Sequence, residues 1–352
     1  MERSNFLSFA FAATVMASIL LSGFFAGGEN GNAQNPADFS AIAADKMENS
    51  ISATSVSVPE RNGESSGPEA AFVSPRSEEL TEAALAGAAP VGKLFSEKNA
   101  GLPLRDSGVE NPDVGAAAAA AFDIESGYVL FSYNGERRWP TASLVKLLTA
   151  VVAIEKIGED SAVAVSERAV ASEGLAGGLK AGERYPAGDL IKLMLAASSN
   201  DAAFALAEHY GYENFIAAMR EKTAALEMRN TFVSDPTGLS VLNQSTPPDL
   251  EKLVIYILIK HPQIFDATRR QKITVREIGS GTKKTAVNIN LFAGRSDFLG
   301  GKTGYTDESG GNLASLFALN GRRILFVVFG AADRFGETER MLSWIKKAYN
   351  FN

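Results

Sequence analysis

Three short motifs carry the residues of this chain that could do chemistry. Ser143-x-x-Lys146 puts a hydroxyl and an amine three residues apart, and on a helix such residues are neighbours. Ser198-x-Asn200 supplies a second hydroxyl and an amide. Lys302-Thr303-Gly304, preceded by Gly300-Gly301 and followed by Tyr305, supplies a cation, a hydroxyl and a backbone that can come close to a ligand. A serine attacks a carbonyl only when a base takes its proton. An ammonium is no base, but burial or a second cation lowers a lysine pKa. Leu144, Val145, Leu147 and Leu148 offer an apolar setting, and Lys302 is the candidate second cation. Together the motifs hold what acyl transfer through a serine ester needs. Ser143 is the nucleophile, Lys146 the base and Ser198 the proton relay. Asn200 donates to a substrate carbonyl, and Lys302 and Thr303 bind a substrate carboxylate. The Ser143 and Tyr305 N–H groups form an oxyanion hole beside Gly304. This chemistry calls on no metal and no cofactor.

Taken singly, each motif has a plainer reading. The first is a capping serine with a snorkelling lysine, the second a helix N-cap, the third an edge strand guarded by a lysine. Ser-x-x-Lys also occurs at Ser280/Lys283 and Ser343/Lys346, and Ser-x-Asn at Ser132/Asn134. The conjunction is what carries weight. Only the first Ser-x-x-Lys is followed, 55 residues on, by Ser198-x-Asn200 and, 104 residues beyond Ser198, by Lys302-Thr303-Gly304.

The composition excludes several alternatives. The 352 residues include no cysteine, so disulfides and thiolate zinc sites are impossible. A Ser-His-Asp triad or a histidine-rich metal site would have to use His209 or His261, which read as surface or capping residues. The net charge of −7 is uneven. Residues 27–115 hold 14 acidic and 6 basic side chains, while 116–352 hold 26 and 27. The second stretch is balanced and offers no nucleic-acid surface.

Residues 1–26 read as a signal peptide or a membrane anchor, apolar over 6–25, with cleavage and retention equally open. Residues 27–112 read as an acidic disordered tether with one short helix at 77–88. Residues 113–352 read as one α+β domain. Strands at 116–124 and 128–134 form a hairpin, and a buried helix begins near Thr141 or Ser143 and runs to 154. Helices follow at 189–197, 201–210, 213–226 and 247–260. Strands are expected at 272–278, 300–305, 311–319 and 323–330, with a closing helix at 337–349. The first and last strands share one antiparallel sheet, and the buried helix lies between that sheet and the helical block.

The motif triple resembles that of β-lactamases and penicillin-binding proteins. Trp139-Pro140-Thr141-Ala142-Ser143-Leu144-Val145-Lys146-Leu147-Leu148-Thr149 is similar to the nucleophile segment of serine-type D-Ala-D-Ala carboxypeptidases, the low-molecular-mass penicillin-binding proteins. Gly178 to Glu183, Asp189-Leu190, Ala197 to Ala203, Asp235-Pro236-Thr237-Gly238-Leu239 and Gly301 to Asp307 extend the likeness over about 112–349. The resemblance implies a β-lactamase/transpeptidase-like fold. It implies an extracytoplasmic enzyme, secreted or anchored, that acts on peptidoglycan stem peptides, with β-lactams as inhibitors acylating Ser143. It adds a late arginine for the substrate carboxylate, for which Arg334 is the candidate. A class A-like β-lactamase is the nearest rival, and it lacks here the Glu-x-x-Leu-Asn segment such enzymes use. A non-catalytic wall-binding module is a second. The chain stops just after its closing helix, like the shorter endopeptidases of the family, which leaves trimming of free stems and cutting of cross-links both open.

Overall fold

The computed structural model describes residues 101–175 and 177–351. The signal or anchor at 1–26, most of the tether and its short helix at 77–88 lie outside the described residues. In chain order the main elements are β1 (Leu104–Arg105), β2 (Ala118–Asp123), β3 (Tyr128–Tyr133), a 3-10 turn at Ala142–Val145 and α1 (Lys146–Lys156). Then come α2 (Ala187–Ala196), α3 (Asn200–Tyr210), α4 (Tyr212–Ala225), α5 (Pro247–Lys260) and α6 (Gln263–Thr268). The chain closes with β4 (Lys272–Arg276), β5 (Lys283–Val287), β6 (Phe298–Thr306), β7 (Gly310–Leu319), β8 (Arg322–Ala331), α7 (Arg334–Ala348) and β9 (Tyr349–Asn350).

Five strands form one antiparallel sheet in the order β6-β7-β8-β2-β3. The hairpin and the last strands thus join as the sequence pattern anticipates. β2 is Ala-Ala-Ala-Ala-Phe-Asp, whose four alanines favour helix by propensity, yet it is a fully buried strand. Both of its faces are covered, which explains the override. Ala118, Ala120 and Phe122 face the core of the helical block, while Ala119 and Ala121 face the core under α7. β8 alternates likewise, with Leu325, Val327 and Phe329 on one side and Ile324, Phe326 and Val328 on the other. The sheet is therefore the middle of three layers, and β6, which carries Lys302-Thr303-Gly304, is an edge strand.

The position of the buried helix differs from the expected one. α1 packs on α2, α3, α4 and α5, and the 3-10 turn ahead of it is what meets β6 and β7. That arrangement places Ser143, in the turn, against the sheet edge and Lys146 at the first residue of α1. The folded part also begins ahead of residue 113. Leu104–Arg105 pairs antiparallel with Tyr349–Asn350, and the Arg105 guanidinium stacks on Trp344 and Tyr349. Residues 101–112 therefore do not behave as tether. Among the described residues no helix is long and apolar enough to cross a membrane.

Candidate active site

The turn bearing Ser143 is held from several directions. The Thr141 N–H donates to the Asn243 carbonyl at 2.8 Å, and Asn312 Nδ2 donates to the Pro140 carbonyl at 2.8 Å. Trp139 Nε1 donates to the Ser309 carbonyl at 2.8 Å. Ala142 sits at φ +45°, a left-handed conformation that costs a non-glycine residue energy and that surrounding structure must enforce. Ser198 is also left-handed, at φ +59°, in the break between α2 and α3. Ser198 opens the second motif, and Ala142 immediately precedes the first.

Lys146 is wholly buried, and its Nζ has three partners. These are Ser143 Oγ at 2.8 Å, Asn200 Oδ1 at 2.6 Å and the Thr237 carbonyl oxygen at 2.5 Å. An amide oxygen and a carbonyl can only accept, so two N–H bonds are committed to them. The remaining tetrahedral direction points at the Ser143 hydroxyl. In an ammonium that direction holds a proton, and in a neutral amine it holds the lone pair that can take the hydroxyl proton. Burial pulls the Lys146 pKa from 10.5 down to about 7, against the opposing pull of Asp235 and Asp201. Burial, rather than the proximity of Lys302, is what weakens this ammonium.

Lys302 is buried too, and its Nζ donates to Ser198 Oγ and to the Thr303 carbonyl, each at 2.9 Å. Burial, then the charges of Lys146 and Arg334, hold its pKa well below the ordinary lysine range. A Cβ at Gly304 would meet the Thr141 carbonyl, the Ser143 amide nitrogen and Ala142, so glycine is what lets β6 lie against the nucleophile turn. The Gly301 N–H donates to Thr268 Oγ1 of α6 at 3.0 Å, off the free edge of the sheet. Strand alternation turns the Thr303 and Tyr305 N–H groups to that same edge. The Tyr305 side chain is exposed. Arg334, the first residue of α7, donates through one terminal nitrogen to the Gly304 carbonyl at 3.2 Å. Its buried Nε has no hydrogen-bond partner.

The structure thus brings Ser143, Lys146, Asn200, Ser198, Lys302, Thr303, Gly304, Tyr305 and Arg334 to the meeting of the 3-10 turn, the α2–α3 break and β6. Asn200 stands differently from its expected role. Its Oδ1 is taken by Lys146 and its Nδ2 donates to the Glu173 carbonyl at 2.6 Å, so both ends of the amide are occupied within the protein. The other Ser-x-x-Lys serines lie elsewhere, Ser280 capping the β4–β5 turn and Ser343 within α7. The 235–239 segment has no role in the motif chemistry read from the sequence. The Thr237 carbonyl proves to be a partner of the base, and the signal was present as Asp-Pro-Thr-Gly, a turn in which Asp caps following N–H groups.

A half-buried serine bonded to a buried lysine at the edge of an antiparallel sheet, with a second lysine and an arginine beside them, has the layout of a serine acyl-transfer enzyme. The pattern of the D-alanyl-D-alanine carboxypeptidase family matches residues 105–333. A D-alanyl-D-alanine endopeptidase of Pseudomonas aeruginosa is 31% identical over 265 residues, covering 70% of this chain and 80% of that relative. A carboxypeptidase of that kind from Escherichia coli is 29% identical, covering 67% of this chain and 62% of its own length. The crystal structure of a D-alanyl-D-alanine carboxypeptidase from Mycobacterium tuberculosis superposes with a TM-score of 0.64 at 26% identity, covering 69% of this chain and 96% of that one. The chain belongs to the D-alanyl-D-alanine carboxypeptidase family and is a serine-type DD-peptidase.

Proposed function

We propose that this chain cleaves peptidoglycan stem peptides at D-Ala carbonyls through an acyl-enzyme on Ser143. Neutral Lys146 takes the Ser143 proton as Oγ attacks the D-Ala carbonyl carbon. The oxyanion is held by the Ser143 and Tyr305 N–H groups. The proton returns through Ser198 to the leaving amine, the C–N bond breaks, and the Ser143 ester remains. Water then attacks that ester, and Ser143 recovers its proton as the acid product leaves. Lys302, Thr303 and Arg334 bind the carboxylate of the substrate. Asn200 fixes the base; a contact from it to substrate would require its amide to turn away from Glu173. β-Lactams acylate Ser143 in the same way and act as inhibitors.

The observation that carries this reading is the Lys146 amine, dry, with two acceptors satisfied and its third direction on the Ser143 hydroxyl. Cutting of cross-links and trimming of free stems both fit the relatives, since the chain spans 80% and 78% of two endopeptidases and 79% of a carboxypeptidase. Such work lies outside the cytoplasm, with residues 1–26 as the export signal or anchor and 27 to about 100 as the tether. Purified muropeptides analysed by mass test it. Splitting of cross-linked dimers supports the endopeptidase reading, and loss of a single terminal alanine supports trimming instead. A wild type that does neither, or fluorescent penicillin that labels Ser143→Ala as well as wild type, overturns the proposal.

A further inference from the structure

Asp235 has no part in the steps above, yet its carboxylate gathers five donors from its own loop. Oδ1 accepts from the Thr237 N–H at 2.8 Å, Thr237 Oγ1 at 2.6 Å and the Gly238 N–H at 2.8 Å. Oδ2 accepts from the Ser240 N–H at 3.0 Å and Asn243 Nδ2 at 2.6 Å. Two products of this loop reach the catalytic pair. The Thr237 carbonyl accepts from Lys146, and the Asn243 carbonyl accepts from Thr141 at the foot of the nucleophile turn. We propose that Asp235 is a positioning residue for Lys146: its carboxylate fixes the Thr237 carbonyl on the amine and presents a negative charge to the same nitrogen. The inference rests on Lys146 being the base of acyl transfer.

The charge and the geometry are separable. Asp235 is the larger of two anionic influences that favour the Lys146 ammonium, and burial outweighs both. The other, Asp201 at the start of α3, is committed to the Gly177 and Leu179 N–H groups. Lys302 faces the site from β6, and Arg334 acts on Lys302 from α7. Tyr212 of α4 shares with Asp235 a cavity of about 310 Å³, and burial followed by the Asp235 charge pushes its phenol up. Of these groups Asp235 alone both charges the surroundings of the amine and orders one of its acceptors.

The test is the acylation rate of the full chain by fluorescent penicillin across pH 5 to 9. Wild type gains activity as pH rises through about 7, where the Lys146 amine becomes neutral. Asp235→Asn removes the anion that favours the ammonium, so this acid limb moves down by about 1 pH unit. The plateau falls about tenfold as the Thr237 carbonyl loosens. Asp235→Glu keeps the charge, so the limb stays and only the plateau falls. A plateau loss in Asp235→Asn with an unmoved limb means plain loop support and overturns the inference. If that variant does not fold, Asp235→Ser, whose hydroxyl can still cap the turn, carries the same expectation. A wild type without acylation, or without an acid limb, overturns the base assignment and the inference with it.

Discussion

Lys302 Nζ donates to Ser198 Oγ across 2.9 Å, joining the third motif to the second over 104 residues of chain. A hydroxyl that accepts from an amine on one side turns its own hydrogen to another. The bond therefore gives the Ser198 proton a direction, which a relay needs. Ser198→Ala should slow acylation by about 10²- to 10⁴-fold, the range for a lost general acid–base step. Its thermal stability should stay within about 1 kcal/mol of wild type, the net worth of one hydrogen bond. Stopped-flow penicillin acylation beside thermal melts decides it, and wild-type rates in the variant would remove Ser198 from the mechanism.

Arg334 holds a buried Nε without a protein partner beside the carbonyl of Gly304. A substrate carboxylate would satisfy that donor. Arg334→Gln should lower kcat/KM about 10- to 100-fold on substrates with a free terminal carboxylate, matching a charge-assisted hydrogen bond of roughly 1.5–3 kcal/mol. An amide-capped analogue should feel little of this. Equal losses on both substrates would assign Arg334 to the fold rather than to binding.

Gly238 has φ +88°, and a Cβ there would strike the Ala142 carbonyl and the Ser143 amide nitrogen, both backbone. Backbone cannot rotate aside as a side chain does. Gly238→Ala should cost about 2–4 kcal/mol in urea denaturation and displace the nucleophile turn, with acylation lost before the fold is. A fully active, equally stable variant would contradict the packing described.

Glu251 of α5 is largely buried, and its pKa is raised to about 7 by burial, with Lys252 opposing. The folded state thus holds a proton that the unfolded chain releases near 4.5. Stability from this group is complete below 4.5, falls as pH rises to 7 and stays low above it. The loss totals about 3 kcal/mol. Glu251→Gln should raise the urea midpoint at pH 8 and leave it unchanged near pH 4. A pH-independent effect would mean the carboxyl is better solvated than its surroundings imply.

The sequence revealed most where information is local. The order of the motifs, the start of the helix after Thr141 and the prolines opening α5 could be read directly. The alanine run in β2 was readable as a strand because the Glu125-Ser126-Gly127 turn follows it. What escaped depends on distant partners. β5, Lys-Lys-Thr-Ala-Val, is polar and half exposed, and only pairing with β4 makes it a strand. The strand at Leu104–Arg105 exists because Tyr349–Asn350 comes back beside it. The inward turn of Asn200 is set by the Glu173 carbonyl 27 residues earlier, a contact that no spacing rule encodes.

The pairing of Leu104–Arg105 with Tyr349–Asn350 makes the two limits of the peptidase domain next-door neighbours. A segment fused at either limit would therefore leave the domain from the same place on its surface. Joining the two limits with a few residues and opening a surface loop elsewhere is a rearrangement this geometry tolerates.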